Sequence, residues 1–140
     1  DIIGTGNQIN ENIDNKLIQN KKIKNFLKDE KKKIGILCAI ANEEVVRSVN
    51  DKYEDQNIEI FCGYPFNEDD NYFEKLKKNK STISNEAKII KKYCKKVEKR
   101  KPDGYGGYAL TTVFSHNCPN TSLPVLYKEK DDFFPLFKRV

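Results

Sequence analysis

The chain of 140 residues lacks the features that would place it directly in a functional class. It contains no methionine, and its single histidine, His116, belongs to no complete catalytic constellation. Its longest apolar run, residues 34–41, is much shorter than the roughly 20 apolar residues of a membrane-spanning helix. The sequence therefore predicts no membrane span, and it indicates no cofactor.

Closely spaced cysteine pairs are also absent. The four cysteines, Cys38, Cys62, Cys94 and Cys118, are spread along the chain, whereas structural zinc sites use pairs such as C-x₂-C. A chain that starts at Asp1 and has no methionine is typical of a processed, secreted polypeptide, and oxidising compartments favour disulfides. The sequence thus predicts a secreted, disulfide-bonded protein without a metal site, and the residues alone leave the pairing of the cysteines open.

Charge is segregated along the chain, although the net charge is only +5. Residues 34–74 carry two basic and ten acidic side chains, whereas residues 75–101 carry twelve basic and two acidic ones. If the basic block forms one face, it would attract polyanions such as RNA, acidic proteins or lipid headgroups. A solvated lysine-rich surface is the alternative. The candidate residues for binding a partner protein or RNA are Lys91, Lys92, Lys95, Lys96, Lys99, Arg100, Lys101 and the neighbouring Tyr105.

The first 33 residues are polar and rich in asparagine and lysine. Ile9, Ile13 and Leu17 recur at helical spacing and form a weak amphipathic stripe. Residues 1–33 are therefore predicted to be an N-terminal arm, either helical and docked on the domain or flexible.

A strand, a helix and a second strand are predicted next. The apolar run 34–40 suits a buried strand, and residues 58–62 alternate as a half-buried strand does. Between them, Asn42 is a candidate helix N-cap followed by two glutamates, which the helix dipole favours in the first turn. Pro65 is expected to end the second strand, because proline has no amide hydrogen for the ladder.

The second half is predicted to contain both helices and strands. Residues 67–80 suit a short surface helix, and residues 84–99 fit helical spacing better than the alternative, a half-exposed strand. Residues 108–115, rich in β-branched and aromatic side chains, give the strongest strand pattern, and a further strand is predicted at 123–127. The predicted fold is α+β, with one main helix packed on an antiparallel β-sheet and stabilised by disulfides.

The order of these features resembles a known family. A strand carrying a cysteine and a helix are followed by Gly63-Tyr64-Pro65-Phe66, a lysine-rich segment, Tyr105-Gly106-Gly107, a strong strand and a turn containing Cys118. From about residue 34 to residue 137 this order resembles the small secreted microbial ribonucleases, and more closely the ribonuclease-like effectors that powdery-mildew fungi deliver into plant cells. The resemblance implies a single ribonuclease-like domain at 34–140, with Cys38 paired to Cys118 and Cys62 to Cys94.

The catalytic positions of that family are not filled in this sequence. RNA cleavage needs a general base, a general acid and a cation, roles held by glutamate, histidine and arginine on adjacent strands. The corresponding segments, residues 91–95, 108–113 and 125–128, contain none of these three side chains. The resemblance therefore implies a monomeric, noncatalytic virulence effector that is secreted, enters the host cell and binds a host protein or RNA. Plant immune receptors can recognise effectors of this kind.

Two other functions, a surface antigen and an active ribonuclease, agree with parts of the sequence. A disulfide-bonded surface antigen or adhesin domain of an AT-rich apicomplexan parasite fits the composition, although the predicted helix at 42–54 argues against the six-cysteine domains of malaria parasites. An active ribonuclease would need His116 together with Arg100 and either Glu86 or Glu98, yet a histidine in a turn usually bonds to the backbone. Triplets that match the N-glycosylation pattern begin at Asn79 and Asn120.

Overall fold

The computed structural model describes residues 2–29, 31–79 and 84–137. The chain divides into two compact units, Asp1–Asn67 and Glu68–Val140, and each has its own hydrophobic core. None of the helices in the described ranges has the length and hydropathy needed to cross a membrane.

The first unit contains a three-stranded, all-parallel sheet in the order β1-β2-β3. Its strands are β1, Ile2–Ile3; β2, Ile34–Asn42; and β3, Ile58–Phe66. Helical segments connect them, because parallel neighbours need a crossover and cannot be joined by a hairpin. Between β1 and β2 lie α1, Asn7–Asn12, its continuation as a π-helix, Ile13–Ile18, and α2, Lys21–Leu27. Between β2 and β3 lie α3, Glu43–Tyr53, and a 3₁₀ turn, Glu54–Gln56.

The helices cover one face of this sheet. Along β2 the half-buried Ile36 and Cys38 alternate with Leu37, which is 83% exposed, and along β3 Ile60 is buried while Phe61 is largely exposed. Burial of each large aliphatic side chain stabilises the fold by about 1.5–3 kcal/mol, so this alternation selects the face that the helices cover. The buried core of the unit consists of Ile13, Val49, Tyr53, Ile58 and Ile60.

The second unit is built from helices and irregular segments. Helix α4 spans Tyr72–Asn79 after a 3₁₀ turn at Glu68–Asp70, and α5 spans Asn85–Val97. Two further 3₁₀ turns lie at Tyr105–Gly107 and Pro124–Leu126. The buried core consists of Phe73, Ala87, Cys94, Ala109 and Leu123.

Several local predictions are confirmed. Strands form at residues 34–42 and 58–66, and the helix between them is capped by Asn42 as its position predicted. The segment 84–99 is helical rather than extended, and the Ser84 hydroxyl accepts a hydrogen bond from the Ala87 N–H. Pro65 does not end the second strand, which continues to Phe66. Within the described sheet β3 is an edge strand, where the missing amide hydrogen of proline is tolerated.

The predicted α+β fold with an antiparallel sheet is wrong, because the described sheet is parallel and the first unit is α/β. The segments 108–115 and 123–127, on which the antiparallel prediction depended, form no strands; Leu110 of the first makes only an isolated parallel bridge to Ser122, just before the second. Ala109 has a φ of 47°, outside the extended region, and Pro124 begins a 3₁₀ turn. The β-branched side chains of these two segments favour a strand, but the backbone at Ala109 and at Pro124 is not extended.

The predicted disulfides do not form in the described structure, where none of Cys38, Cys62, Cys94 and Cys118 is joined to another cysteine. Cys38 lies directly opposite Cys62 on the neighbouring parallel strand, whereas the resemblance paired Cys38 with Cys118 and Cys62 with Cys94. Burial and the hydrogen bond to Cys62 raise the pKa of Cys38 to about 11. Burial also raises the pKa of Cys94. The neutral thiol is therefore the favoured form of both side chains at neutral pH.

Candidate functional site

The carboxyl ends of the three parallel strands lie side by side at one edge of the sheet. Ile3 lies opposite Ala41, and Ala41 lies opposite Pro65. The chain leaves β1 at Gly4 and leaves β2 at Asn42. In α/β proteins ligands bind outside this edge, in the crevice between the loops that follow the strands.

A three-residue turn, Gly4-Thr5-Gly6, connects β1 to α1. Gly6 has a φ of 77°, in the left-handed region that glycine adopts without steric cost. A Cβ atom on this residue would lie only 2.6 Å from Cγ1 of Val45, in the first turn of α3. Position 6 therefore requires glycine for two reasons: the left-handed backbone conformation and the close approach of the turn to α3.

The N-terminus of α1 has no capping side chain. The first intrahelical bond runs from the Asn10 N–H to the Gly6 carbonyl, at 2.9 Å, and Gly6 supplies no side-chain acceptor. The N–H groups of residues 7–9 consequently have no partner within the helix. These donors, with the positive end of the helix dipole, form the kind of site that accepts a phosphate or carboxylate.

Helix α3 differs from α1 in this respect. Asn42 Oδ1 accepts hydrogen bonds from the N–H groups of Glu44 and Val45, at 3.0 and 3.2 Å. The two helix N-termini therefore meet where Gly6 approaches Val45, but the one that belongs to α3 is already capped by a side chain. Donors for an anion remain at the N-terminus of α1.

A polar network fixes the first helical segment against α3. The Tyr53 side chain is 2% exposed, and its hydroxyl donates to Asp14 Oδ1 at 2.9 Å. Lys52 Nζ donates to the Tyr53 hydroxyl at 2.7 Å and to Asp14 Oδ2 at 3.1 Å, and Asn10 Oδ1 lies within hydrogen-bond distance of both donors. The hydrogen bonds from Lys52 and Tyr53 hold the pKa of Asp14 below its usual value. This network sets the position of the helix that follows the glycine turn.

A surface pocket of about 350 Å³ lies at the opposite edge of the same unit. It adjoins the amino ends of β2 and β3, away from the loops that follow the strands, and its lining is mainly polar. It is therefore not the crevice in which α/β proteins bind their ligands. The lining residues are Lys33, Asn50, Asp51, Glu54, Asn57, Ile58 and Glu59.

The predicted partner-binding residues occupy different environments in the second unit. Lys91 Nζ lies 3.7 Å from Asp103 Oδ2 and 5.0 Å from the centre of the Phe73 ring. Lys101 Nζ lies 4.0 Å from the centre of the Tyr105 ring, which it covers. These basic groups have intramolecular partners. The other predicted residues, Lys92, Lys95, Lys96, Lys99 and Arg100, are exposed.

Two of the residues required for an active ribonuclease, His116 and Glu98, are engaged in other contacts. His116 stacks on Phe114, with ring centres 5.7 Å apart. Glu98 forms an ion pair with Lys128, and hydrogen bonds from Lys128 and from the Arg100 N–H lower the pKa of its carboxyl group. A carboxylate held in this way is a weaker base than a free one.

The two predicted glycosylation triplets differ in what the structure describes. Asn120 is exposed, and its carbonyl accepts a hydrogen bond from the Tyr105 N–H at 2.6 Å. The triplet that begins at Asn79 continues into residues 80 and 81, which lie outside the described residues. Use of either triplet stays a prediction.

The parallel strands and the helices that connect them place the first unit among the α/β proteins. The model of the PRTase-CE family matches residues 1–139, and the chain therefore belongs to this phosphoribosyltransferase-like family. Searches of curated proteins and of solved structures gave no match.

The family assignment does not bear on where the protein acts. Secretion, entry into a host cell, the effector role and the surface-antigen alternative stay predictions.

The sequence contains a pattern that would have predicted the glycine turn, but the prediction was not made. Two glycines flank Thr5 between an apolar pair and a helical stripe, the order strand, glycine turn, helix that marks phosphate-binding loops. Only Ile2 and Ile3 represent the strand, and the polar composition of residues 1–33 favours an arm instead. The turn is identified once β1 is seen to pair with β2.

Proposed function

We propose that the first unit binds phosphoribosyl pyrophosphate at the Gly4-Thr5-Gly6 turn and that the chain takes part in phosphoribosyl transfer. Membership in the PRTase-CE family supports the class of ligand. The location of the proposed site rests on α1. Its N-terminus has no side-chain cap and directly follows a glycine turn at the carboxyl edge of a parallel sheet.

The electrostatics of the turn support binding of an anion. The helical segment 7–18 directs its positive dipole end toward the turn, together with the first N–H groups, for which the helix itself supplies no acceptor. Two acidic residues of the first turn of α3, Glu43 and Glu44, lie at the same edge and oppose an anion. Arg47 reduces this opposition, because it pairs with Glu43 at 2.6 Å.

The proposed reaction joins a nucleophile to C1 of the ribose while the bond from C1 to the pyrophosphate oxygen breaks. Pyrophosphate leaves with the electron pair of that bond, so negative charge grows on its bridging oxygen. Backbone N–H donors held in place by the fold stabilise such charge without having to reorganise. The turn would therefore contribute both to binding and to departure of the leaving group.

Calorimetric titration with the magnesium salt of phosphoribosyl pyrophosphate tests the proposal. The wild-type chain should bind this ligand and should not bind unphosphorylated ribose. Thr5→Glu should weaken binding by at least about tenfold, because a carboxylate beside a phosphate costs on the order of a kcal/mol or more. Thr5→Ser should retain binding. A wild-type chain that does not bind the ligand, or Thr5→Glu binding as tightly as wild type, would overturn the proposal.

A further inference from the structure

We infer that the exposed face of α5 binds single-stranded nucleic acid. This function goes beyond phosphoribosyl transfer and depends on residues of the second unit alone. The basic block of the sequence led to a general prediction of RNA binding, and the structure now identifies which of its side chains share one face.

Four lysines form a stripe along α5: Lys88, Lys92, Lys95 and Lys96. At 100° per residue they fall within an arc of about 100°, and the helix rises about 12 Å from the first to the last. All four are exposed, and within the described ranges none is paired with a carboxylate. Lys91, one turn from the stripe, is excluded because it pairs with Asp103. The stripe is therefore a row of cations that form no ion pair with a carboxylate of the described residues.

The opposite face of the helix is already covered. Ala87, Cys94 and Val97 are buried in the core of the second unit. An amphipathic helix that binds a bilayer places its apolar face among the acyl chains, and here that face is not accessible. The accessible face carries the lysines beside the half-exposed Ile89 and Tyr93, which favours a ligand that presents a row of negative charges next to apolar surface.

Aromatic side chains flank the lysine stripe. Tyr93 is 46% exposed, and its ring centre lies 6.3 Å from that of Phe133, at an interplanar angle of 33°. Lys130 Nζ donates to the Lys96 carbonyl at 3.1 Å, so the segment that carries Phe133 runs beside the helix. Rings next to a row of cations are the combination by which proteins bind single strands, with bases stacked on the rings and phosphates near the cations.

The chemistry of the stripe favours binding that depends little on sequence. Lysine ammonium groups act as point charges on phosphates, whereas bidentate recognition of base edges is typical of arginine. No arginine lies within α5. Every base has a face that can stack on Tyr93, so RNA and single-stranded DNA should bind with similar affinity.

Fluorescence anisotropy with a labelled uridine oligonucleotide tests the inference. If the four lysines contact four phosphates of a single strand, affinity should fall about 50-fold between 50 and 200 mM salt. Replacing the four lysines by glutamine should remove most of this salt dependence and of the affinity. A matched variant with the same change of charge in the first unit, K21Q/K22Q/K24Q/K28Q, should bind as wild type does, because these exposed side chains lie on α2 and at its C-cap, outside α5.

The aromatic contribution is tested separately. Tyr93→Ala should weaken binding by at least about fivefold, the lower limit for one stacked base, and Tyr93→Phe should keep the wild-type affinity. No binding at 50 mM salt, or equal losses in the two quadruple variants, would overturn the inference. Binding to phosphatidylserine vesicles without binding to the oligonucleotide would replace it by a lipid surface. Titration with phosphoribosyl pyrophosphate is unaffected by these variants, so failure here is distinguishable from failure of the proposed function.

Discussion

Gly6 and Gly107 have nearly the same backbone conformation, with φ of 77° and 74°, but different surroundings. A Cβ atom on Gly6 would collide with Val45, whereas one on Gly107 would meet nothing within 4 Å. The sequence alone does not separate the two, because a clash depends on a residue from another element. At the residue scale, the structural role of a glycine is set by its neighbours in space.

Gly6→Ala should therefore destabilise the protein more than Gly107→Ala. Both variants incur the cost of a left-handed alanine, and Gly6→Ala adds an overpacking term of about 1–3 kcal/mol. Urea denaturation of both variants measures the difference in free energy of unfolding. Equal losses would show that the turn and α3 can separate without cost.

At the scale of elements, α3 and α5 were predicted correctly, whereas two of the predicted strands, at 108–115 and 123–127, do not form. Asn42 followed by two glutamates predicted α3, and the spacing of apolar residues predicted α5. Capping and helical hydrogen bonds are local, so the sequence near each helix is sufficient to specify it. Residues 108–115 have strand-forming side chains but lack a neighbouring strand to pair with, and the pattern of a segment does not report whether a partner exists.

The docking of the first helical segment should depend on pH through Asp14. Its pKa is lowered in the folded state, so its contribution to stability is present above the unfolded pKa, about 3.9, and is lost as the pH falls through the folded value. Asp14→Asn should be less stable than wild type at pH 7, and the two should converge in acid. Thermal unfolding between pH 7 and pH 2 measures this.

Asp51→Asn provides the matched control, because it removes an exposed carboxylate from the neighbouring helix α3. At pH 7 it should lower the free energy of unfolding less than Asp14→Asn does, because Asp51 is not one of the residues that bond to Lys52 and Tyr53 in the network. A constant deficit of Asp14→Asn down to pH 2 would mean that the charge of the carboxylate does not stabilise the fold.

At the scale of the whole molecule, the state of the cysteines distinguishes the observed architecture from the predicted one. Wide spacing and a lack of metal motifs favoured disulfides, yet each cysteine serves as a small core or sheet residue. Cys38 and Cys62 became neighbours only because β2 and β3 pair in parallel. The sequence distance between them contains no information on that register.

Titration with a thiol reagent should find four reactive sulfhydryls per chain after denaturation without a reducing agent. In the native protein Cys38 should react slowly at pH 8, and the reaction should accelerate toward pH 11, where its thiolate forms. Fewer than four thiols in the denatured chain would show that a disulfide is present, and peptide mapping without reduction would identify which cysteines it joins.

The sequence by itself determined α3 and α5, the strands at 34–42 and 58–66, and the segregation of charge, because periodicity, capping and composition act over a few neighbouring residues. Only the tertiary structure decided that the sheet is parallel, that the first residues form its edge strand, and that a glycine turn with free N–H donors lies at the carboxyl ends of the strands. The tertiary structure also decided which lysine of α5 forms an ion pair with a carboxylate, namely Lys91 with Asp103. These properties depend on contacts between residues distant along the chain, and a local pattern does not encode which distant partners will meet.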